Sequence, residues 1–274
     1  MDFTEAQLQR YARHIILPEI GGIGQAKLRQ AKVLVVGAGG LGAPLLQYLG
    51  AAGIGTLGVI DHDTVSLSNL QRQVIHRTAD LGVRKVDSAR RALREINPEC
   101  EVVTVAERLT ADNAMAMVSG YDIVADGSDN FATRYLLTDA CFLSRRTLVA
   151  AAILRFEAQL STWKAHLGAP HPCYRCLFPE PPPPDSVPSC AAAGVLGAMA
   201  GTIGAWQATE VVKEILCVGE SLSGTLLLYD ALGASVERLE IQKRDDCPLC
   251  SAHPQITSLD SPLARASYDE VYCG

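Results

Sequence analysis

The chain is 274 residues long, with 24 Lys plus Arg against 30 Asp plus Glu and a formal charge of −6 at pH 7. That mild acidity lacks the basic excess that nucleic-acid and anionic-membrane binders carry. Apolar residues at 48% and charged residues at 20% exclude wholesale disorder, and the length admits one large domain or two small ones.

The opening MDFTEAQLQR has an acid at Asp2 and no apolar run, so it does not read as a signal peptide. Helical spacing over 4–13 makes residues 1–30 a helical arm. From Lys32 the pattern becomes α/β. VLVVG at 33–37 reads as a buried strand, 41–52 as an apolar helix, 56–61 as a second strand and 84–96 as an amphipathic helix with a basic face. Strands at 101–105, 122–126 and 147–153 alternate with helices near 111–118 and 130–143. Apolar strands alternating with helices imply a parallel sheet covered on both faces.

After Ile153 the rhythm changes. A strand at 158–165 precedes a proline-rich loop at 179–190, then a long Ala/Gly-rich helix at 191–216 and a terminal hairpin from 225–230 and 235–242. The expected fold is a Rossmann-like doubly wound α/β sheet, mainly parallel with an antiparallel C-terminal portion. With no clean linker, 1–252 reads as a single domain and 253–274 as a weakly ordered tail. Two uncharged stretches, 33–60 and 186–209, could suggest membrane spans. Eight glycines break up the first and the second is mostly Ala and Gly, so a cytoplasmic protein with no membrane contact is expected.

Gly37-Ala38-Gly39-Gly40-Leu41-Gly42 follows a strand and opens a helix. Such glycines let the backbone turn tightly and approach a phosphate, which a helix N-terminus attracts. Asp61, 19 residues past Gly42, stands where an acid accepts from ribose hydroxyls. Those residues fit a nicotinamide dehydrogenase equally well. Arg72 and Lys85 offer cations where a triphosphate would leave the turn, and Asp129 offers a hard oxygen for Mg2+. These favour ATP.

The combination of GxGGLG at 37–42, DxDxV..SNLxRQ at 61–73, Lys85, the Ser128-Asp129-Asn130 triplet and paired CxxC motifs resembles the MoeB/ThiF/HesA group, bacterial relatives of ubiquitin-activating enzymes. The resemblance covers residues 4–252, and HPCYRC with the overall length is most similar to MoeB-type members. It implies ATP- and Mg2+-dependent adenylation of the C-terminal glycine of a ubiquitin-like sulfur carrier ending in Gly-Gly, as in molybdopterin cofactor biosynthesis. On this resemblance Gly37, Gly39, Gly40, Gly42 and Asp61 hold the nucleotide, with Ser68, Asn69, Leu70, Gln71, Arg72 and Lys85 beside the phosphates. Asp129 binds Mg2+ with Asn130 alongside, and Arg13 reaches the ATP of the other subunit of a homodimer. A ThiF-like role toward a thiamine-pathway carrier is the alternative. More remote are NAD-dependent oxidoreduction, marked by nucleotide binding without magnesium, and a non-catalytic carrier-binding scaffold.

Nine cysteines is an odd count for so long a chain. Cys173, Cys176, Cys247 and Cys250 form two CxxC pairs that suit a closed, structural tetrahedral Zn2+ site. Cys190, after the proline-rich loop and before an Ala-rich helix, is a candidate nucleophile, with an idle cysteine the equal alternative. Cys100, Cys141, Cys217 and Cys273 read as core or incidental. His14, His62, His76 and His171 lack metal or triad spacing. The basic face Arg84, Arg90, Arg91 and Arg94 reads as solvated or as a surface for an acidic carrier. Few residues follow Cys250, so the sulfurtransferase is expected to be a separate protein.

Overall fold

The computed structural model describes residues 3–183, 186 and 193–268. One sheet runs through it in the order β3-β2-β1-β4-β5-β6-β7-β8. Its strands are β1 (Lys32–Val36), β2 (Thr56–Ile60), β3 (Glu101–Val105), β4 (Ile123–Asp126), β5 (Thr147–Leu154), β6 (Glu157–Trp163), β7 (Thr225–Asp230) and β8 (Ser235–Glu240). Pairing is parallel from β3 through β5 and antiparallel from β5 through β8, as the sequence pattern implies.

The apolar strands are continuous because both faces are covered. Val33 and Val35 of β1 join a core with Leu45, Leu46 and Leu49 of α3 (Gly42–Ala52) and Ile203 and Val211 of α8 (Gly197–Leu216). Leu34 and Val36 point the other way, into a core with Val118 of α5 (Ala111–Ser119) and Tyr135 and Leu136 of α6 (Phe131–Leu143). In α4 (Lys85–Ile96), Val86, Ala89 and Leu93 share one buried stripe. Three residues of its basic face are paired within the chain, Arg84 and Arg90 with Asp87 and Arg91 with Asp80, while Arg94 is exposed. The arm forms α1 (Glu5–Ile15) and α2 (Gly21–Gln30). The Thr4 hydroxyl caps α1 by accepting from the Gln7 N–H at 3.2 Å.

Two boundaries differ from expectation. The long helix begins at Gly197 rather than at 191; residues 187–192 lie outside the described residues. Residues 253–268 do not form a loose tail, and 269–274 lie outside the described residues. The 253–268 segment carries α9 (Pro262–Tyr268), buries Ile256, Leu259 and Ala264, and sends the Tyr268 hydroxyl 2.6 Å to Asp139 of α6. Packing against α6 and the cysteine cluster supplies what a seven-residue helix lacks in propensity. Among the described residues no helix is long and apolar enough to cross a membrane.

Candidate active site

The sheet winds away in both directions from β1 and β4, so the loops leaving their C-terminal ends part and leave a crevice. The glycine turn leaves β1 there, Asp61 leaves β2, and residues 127–130 leave β4. Gly37 has a left-handed φ of +91°, and a Cβ on it would lie 2.8 Å from the Gly127 carbonyl oxygen. A Cβ on Gly42 would lie 1.9 Å from the Gly37 carbonyl oxygen, so the turn closes on itself before entering α3.

Asp61 is buried and ties two loops together. One carboxylate oxygen accepts the Ala38 N–H at 2.8 Å and the other the Asp63 N–H at 2.9 Å. Each keeps a lone pair for a ribose hydroxyl. Lys85, the first residue of α4, is only 6% exposed, and its Nζ donates to Asp63 Oδ2 at 2.7 Å. Burial raises the Asp63 carboxyl, but the Lys85 bond and charge outweigh it and leave the group below its usual range.

The SNLQRQ run folds as a short turn. Asn69 Oδ1 accepts the Ser66 N–H at 3.1 Å, Ser66 and Ser68 hydroxyls meet at 3.0 Å, and the Ser68 carbonyl accepts from Arg72 at 3.1 Å. Leu70 is half-buried and Gln71 exposed. This turn lays the Arg72 stem over the glycine turn, its Cγ and Cδ 3.6 Å from where a Gly40 Cβ would stand, and Gln73 Nε2 is similarly 3.7 Å from Gly39. Gly197 of α8 seats the run from outside, where a Cβ would meet the Gln71 oxygen at 2.2 Å, and a Cβ on Gly204 would meet the Leu41 oxygen at 2.5 Å. Gly194 and Gly201 have open space around them.

Asp129 is exposed and makes no hydrogen bond or ion pair with a described residue, so its carboxylate is free for a hard cation. The loop around it is pinned. Asp126, buried beside Arg134 at 3.4 Å, accepts from the Ser128 N–H at 2.9 Å and hydroxyl at 2.6 Å. Asn130 Oδ1 caps α6 by accepting the Thr133 N–H at 2.8 Å, so this oxygen is already engaged.

Arg13 is not brought to this crevice. Tyr11, two residues earlier on α1, packs on Gly53 at the far end of α3 from the glycine turn. An 11-residue helix, about 16 Å long, intervenes. Cys190 lies outside the described residues.

The four CxxC cysteines do converge, buried, with no disulfide between them. Sγ atoms of Cys173 and Cys176 are 3.8 Å apart, and Cys173–Cys247 and Cys176–Cys250 are each 3.4 Å. Tetrahedral zinc with bonds of about 2.3 Å requires sulfurs about 3.8 Å apart, so this set could hold zinc with no coordination site left for water. Neighbouring sulfurs split the thiol acidities, driving Cys176 and Cys247 down and Cys173 and Cys250 up, a sharing of hydrogens that a metal would replace. Between the first pair, Arg175 of the short helix α7 (Tyr174–Leu177) makes two 2.7 Å contacts to Asp139 of α6. Cys100 and Cys141 are buried and Cys217 is exposed at the end of α8.

Sequence reasoning passed over Asp63, His76 and Arg175. Asp63 had a signal, the second acid of the DxD string; the other two depend on partners distant in the chain. Residues 11–249 match the ThiF family. The chain is 46% identical over 277 residues to the sulfur carrier protein adenylyltransferase of Thermus thermophilus, covering 100% of this chain and 99% of that one. It is 48% identical over 269 residues to the adenylyltransferase and sulfurtransferase MOCS3 of Mus musculus, covering 98% of this chain and 56% of that protein. The chain thus spans little more than half the length of the MOCS3 relatives it matches. Among solved structures it shares its fold with E. coli MccB, at TM-score 0.78 and 21% identity over 91% of this chain and 75% of that one. With the glycine turn, DxDxV..SNLxRQ run and cysteine cluster assembled on this sheet, the chain belongs to the ThiF family.

Proposed function

We propose that this chain adenylates the C-terminal glycine of a ubiquitin-like sulfur carrier protein with ATP. The observation that carries the reading is the meeting, at the β1/β4 crevice, of a glycine turn with Arg72, a buried Lys85 and the unpaired Asp129. A nicotinamide site has no use for that charge set.

A carboxylate must attack the α-phosphate, so two anions have to meet and positive charge must be fixed in advance. Lys85, held by Asp63, is ordered before substrate arrives, and the N-terminus of α3 adds its partial positive charge. As the carboxylate oxygen bonds to the α-phosphorus, the bond to the leaving pyrophosphate breaks, giving an acyl-adenylate with no net proton transfer. Mg2+ at Asp129 would neutralise phosphate oxygens. Asp61 orients the ribose, and zinc on Cys173, Cys176, Cys247 and Cys250 serves structure alone.

Arg13 acts on this reading across a homodimer. Its distance from its own crevice supports that assignment, as do the exposed apolar side chains of Ile16, Leu17, Ile23 and Tyr48 on the α1–α3 surface.

The test is intact mass spectrometry of Gly-Gly-ending carriers after incubation with MgATP, with pyrophosphate exchange run in parallel. One carrier gains AMP, and its identity separates a molybdopterin role from a thiamine role. Asp129→Ala abolishes exchange without unfolding the protein. Mixing Arg13→Ala with Asp129→Ala restores one working site in each mixed dimer. Exchange by Asp129→Ala at the wild-type rate overturns the magnesium assignment, and absence of rescue overturns the shared site.

A further inference from the structure

Ala38, inside the glycine turn, is held at both ends of its peptide group. Its N–H goes to Asp61, and its carbonyl oxygen lies 2.9 Å from His76 Nε2. That imidazole is buried, and its Nδ1 lies 2.8 Å from the Ser88 hydroxyl of α4. Ser88 Oγ in turn is 2.7 Å from Asp80 Oδ2. Burial raises the Asp80 carboxyl, but Ser88, the Arg77 N–H and Arg91 outweigh it and keep the group ionised below its usual range.

Counting hydrogens shows what this chain of contacts lacks. A carbonyl and a carboxylate only accept, so Nε2 must carry a hydrogen toward Ala38 and Asp80 must receive one from Ser88. With a neutral imidazole, Nδ1 is then bare and faces a hydroxyl whose one hydrogen is needed at both ends. Three contacts share two hydrogens. An imidazolium supplies the third.

We propose that His76 is a positioning residue for the nucleotide phosphates: it keeps the Ala38 carbonyl turned to the imidazole and away from an incoming phosphate, and binding of the polyphosphate draws a proton onto its Nδ1. This rests on the nucleotide reading above. The proton comes from solvent and forms the Nδ1–H bond. That hydrogen goes to Ser88 Oγ, the Ser88 hydrogen goes to Asp80, and no other bond changes.

The surrounding charges give the cause. Burial pushes the imidazole below its ordinary value; the Ala38 carbonyl, Asp61 and Asp80 oppose that, while Lys85 adds to it. Arg91 stands behind Asp80 on the same helix as Lys85 and Ser88. In the free protein the balance favours the neutral ring. A phosphate that pairs with Lys85 offsets a cation that opposes the imidazolium, so the ring's proton affinity rises on binding. Binding is then tightest at lower pH and weakens as pH climbs through the bound-state value.

The test is calorimetric titration of the zinc-loaded wild type with MgATP, near neutral pH, in two buffers of very different ionisation heat. Proton uptake makes the observed enthalpy differ between the buffers. His76→Gln, whose amide can still donate to Ala38, binds MgATP several-fold more weakly, with equal enthalpy in both. Ser88→Ala, which leaves the imidazole in place, shows reduced uptake. Nitrogen NMR of the wild-type imidazole reports the same event without a variant: both ring nitrogens are protonated in the bound state and one in the free state. Buffer-independent heat for a wild type that binds MgATP, or unchanged uptake in His76→Gln, overturns the His76 role and leaves the nucleotide reading standing. Failure of the wild type to bind MgATP overturns both.

Discussion

Replacing Arg175 by Met tests how the cysteine cluster is anchored. Arg175 and Asp139 are each 0% exposed and meet through two 2.7 Å contacts. The same guanidinium donates to the Pro179 carbonyl at 3.0 Å and lies 4.7 Å from the Tyr135 ring centroid, while the Tyr268 hydroxyl donates to Asp139. Met fills much of the volume but strands a buried carboxylate. Breaking one side of such a pair costs about 3–5 kcal/mol, a large part of a typical total of about 5–15 kcal/mol. At roughly 2–4 °C per kcal/mol, the melting midpoint should fall by on the order of 10 °C. The double variant Arg175→Met/Asp139→Leu removes both charges and should recover part of the loss. About 1–3 kcal/mol remains, because the Tyr268 hydroxyl keeps no partner. Urea unfolding of both single variants and the double variant closes the cycle. A single-variant loss below about 1 kcal/mol, or a double variant as unstable as the two singles added, refutes the coupling.

Gly42→Ala places a methyl 1.9 Å from the Gly37 oxygen, so the turn must open. Pyrophosphate exchange should fall by about a hundredfold, the cost of misplacing groups by about 1 Å, with the circular dichroism spectrum unchanged; wild-type exchange would show the turn to be slack. Removing zinc with a chelator should make α9 protease-sensitive before the sheet unfolds, since Ile256 and Ala264 are buried against the cysteine cluster. Identical digestion with and without metal would separate the tail from the cluster.

The parallel half of the sheet was readable because strands buried on both faces leave unbroken apolar runs, and Val33–Val36 is such a run. The glycine turn and Asp61 were readable because a tight backbone demands glycine and the next strand end demands an acid. The cysteines announced themselves by spacing. What stayed hidden depends on partners far away in the chain. Arg175 and Asp139 are 36 residues apart, and nothing local marks either as buried. His76 looked ordinary because its partners, Ala38 and Ser88, lie 38 and 12 residues away. The seven-residue α9 is too short for periodicity to register and is held by tertiary contact. Arg13 sits on a helix that was easily seen, yet its separation from the crevice follows only from which end of α3 the arm packs against.

Helix α8 acts as a gauge block for the cleft. Through Gly197 it bears on the Gln71 oxygen, through Ala200 it lies 3.5 Å from where a Gly40 Cβ would stand, and through Gly204 it bears on the Leu41 oxygen, so a single stripe supports both walls of the cleft. Thickening that stripe by one methyl at either end must displace a wall, since a helix backbone does not compress. The spacing between the arginine-bearing run and the phosphate turn is thus set by how slender this rod is, and drift at Gly197 or Gly204 would retune the gap without altering any polar side chain.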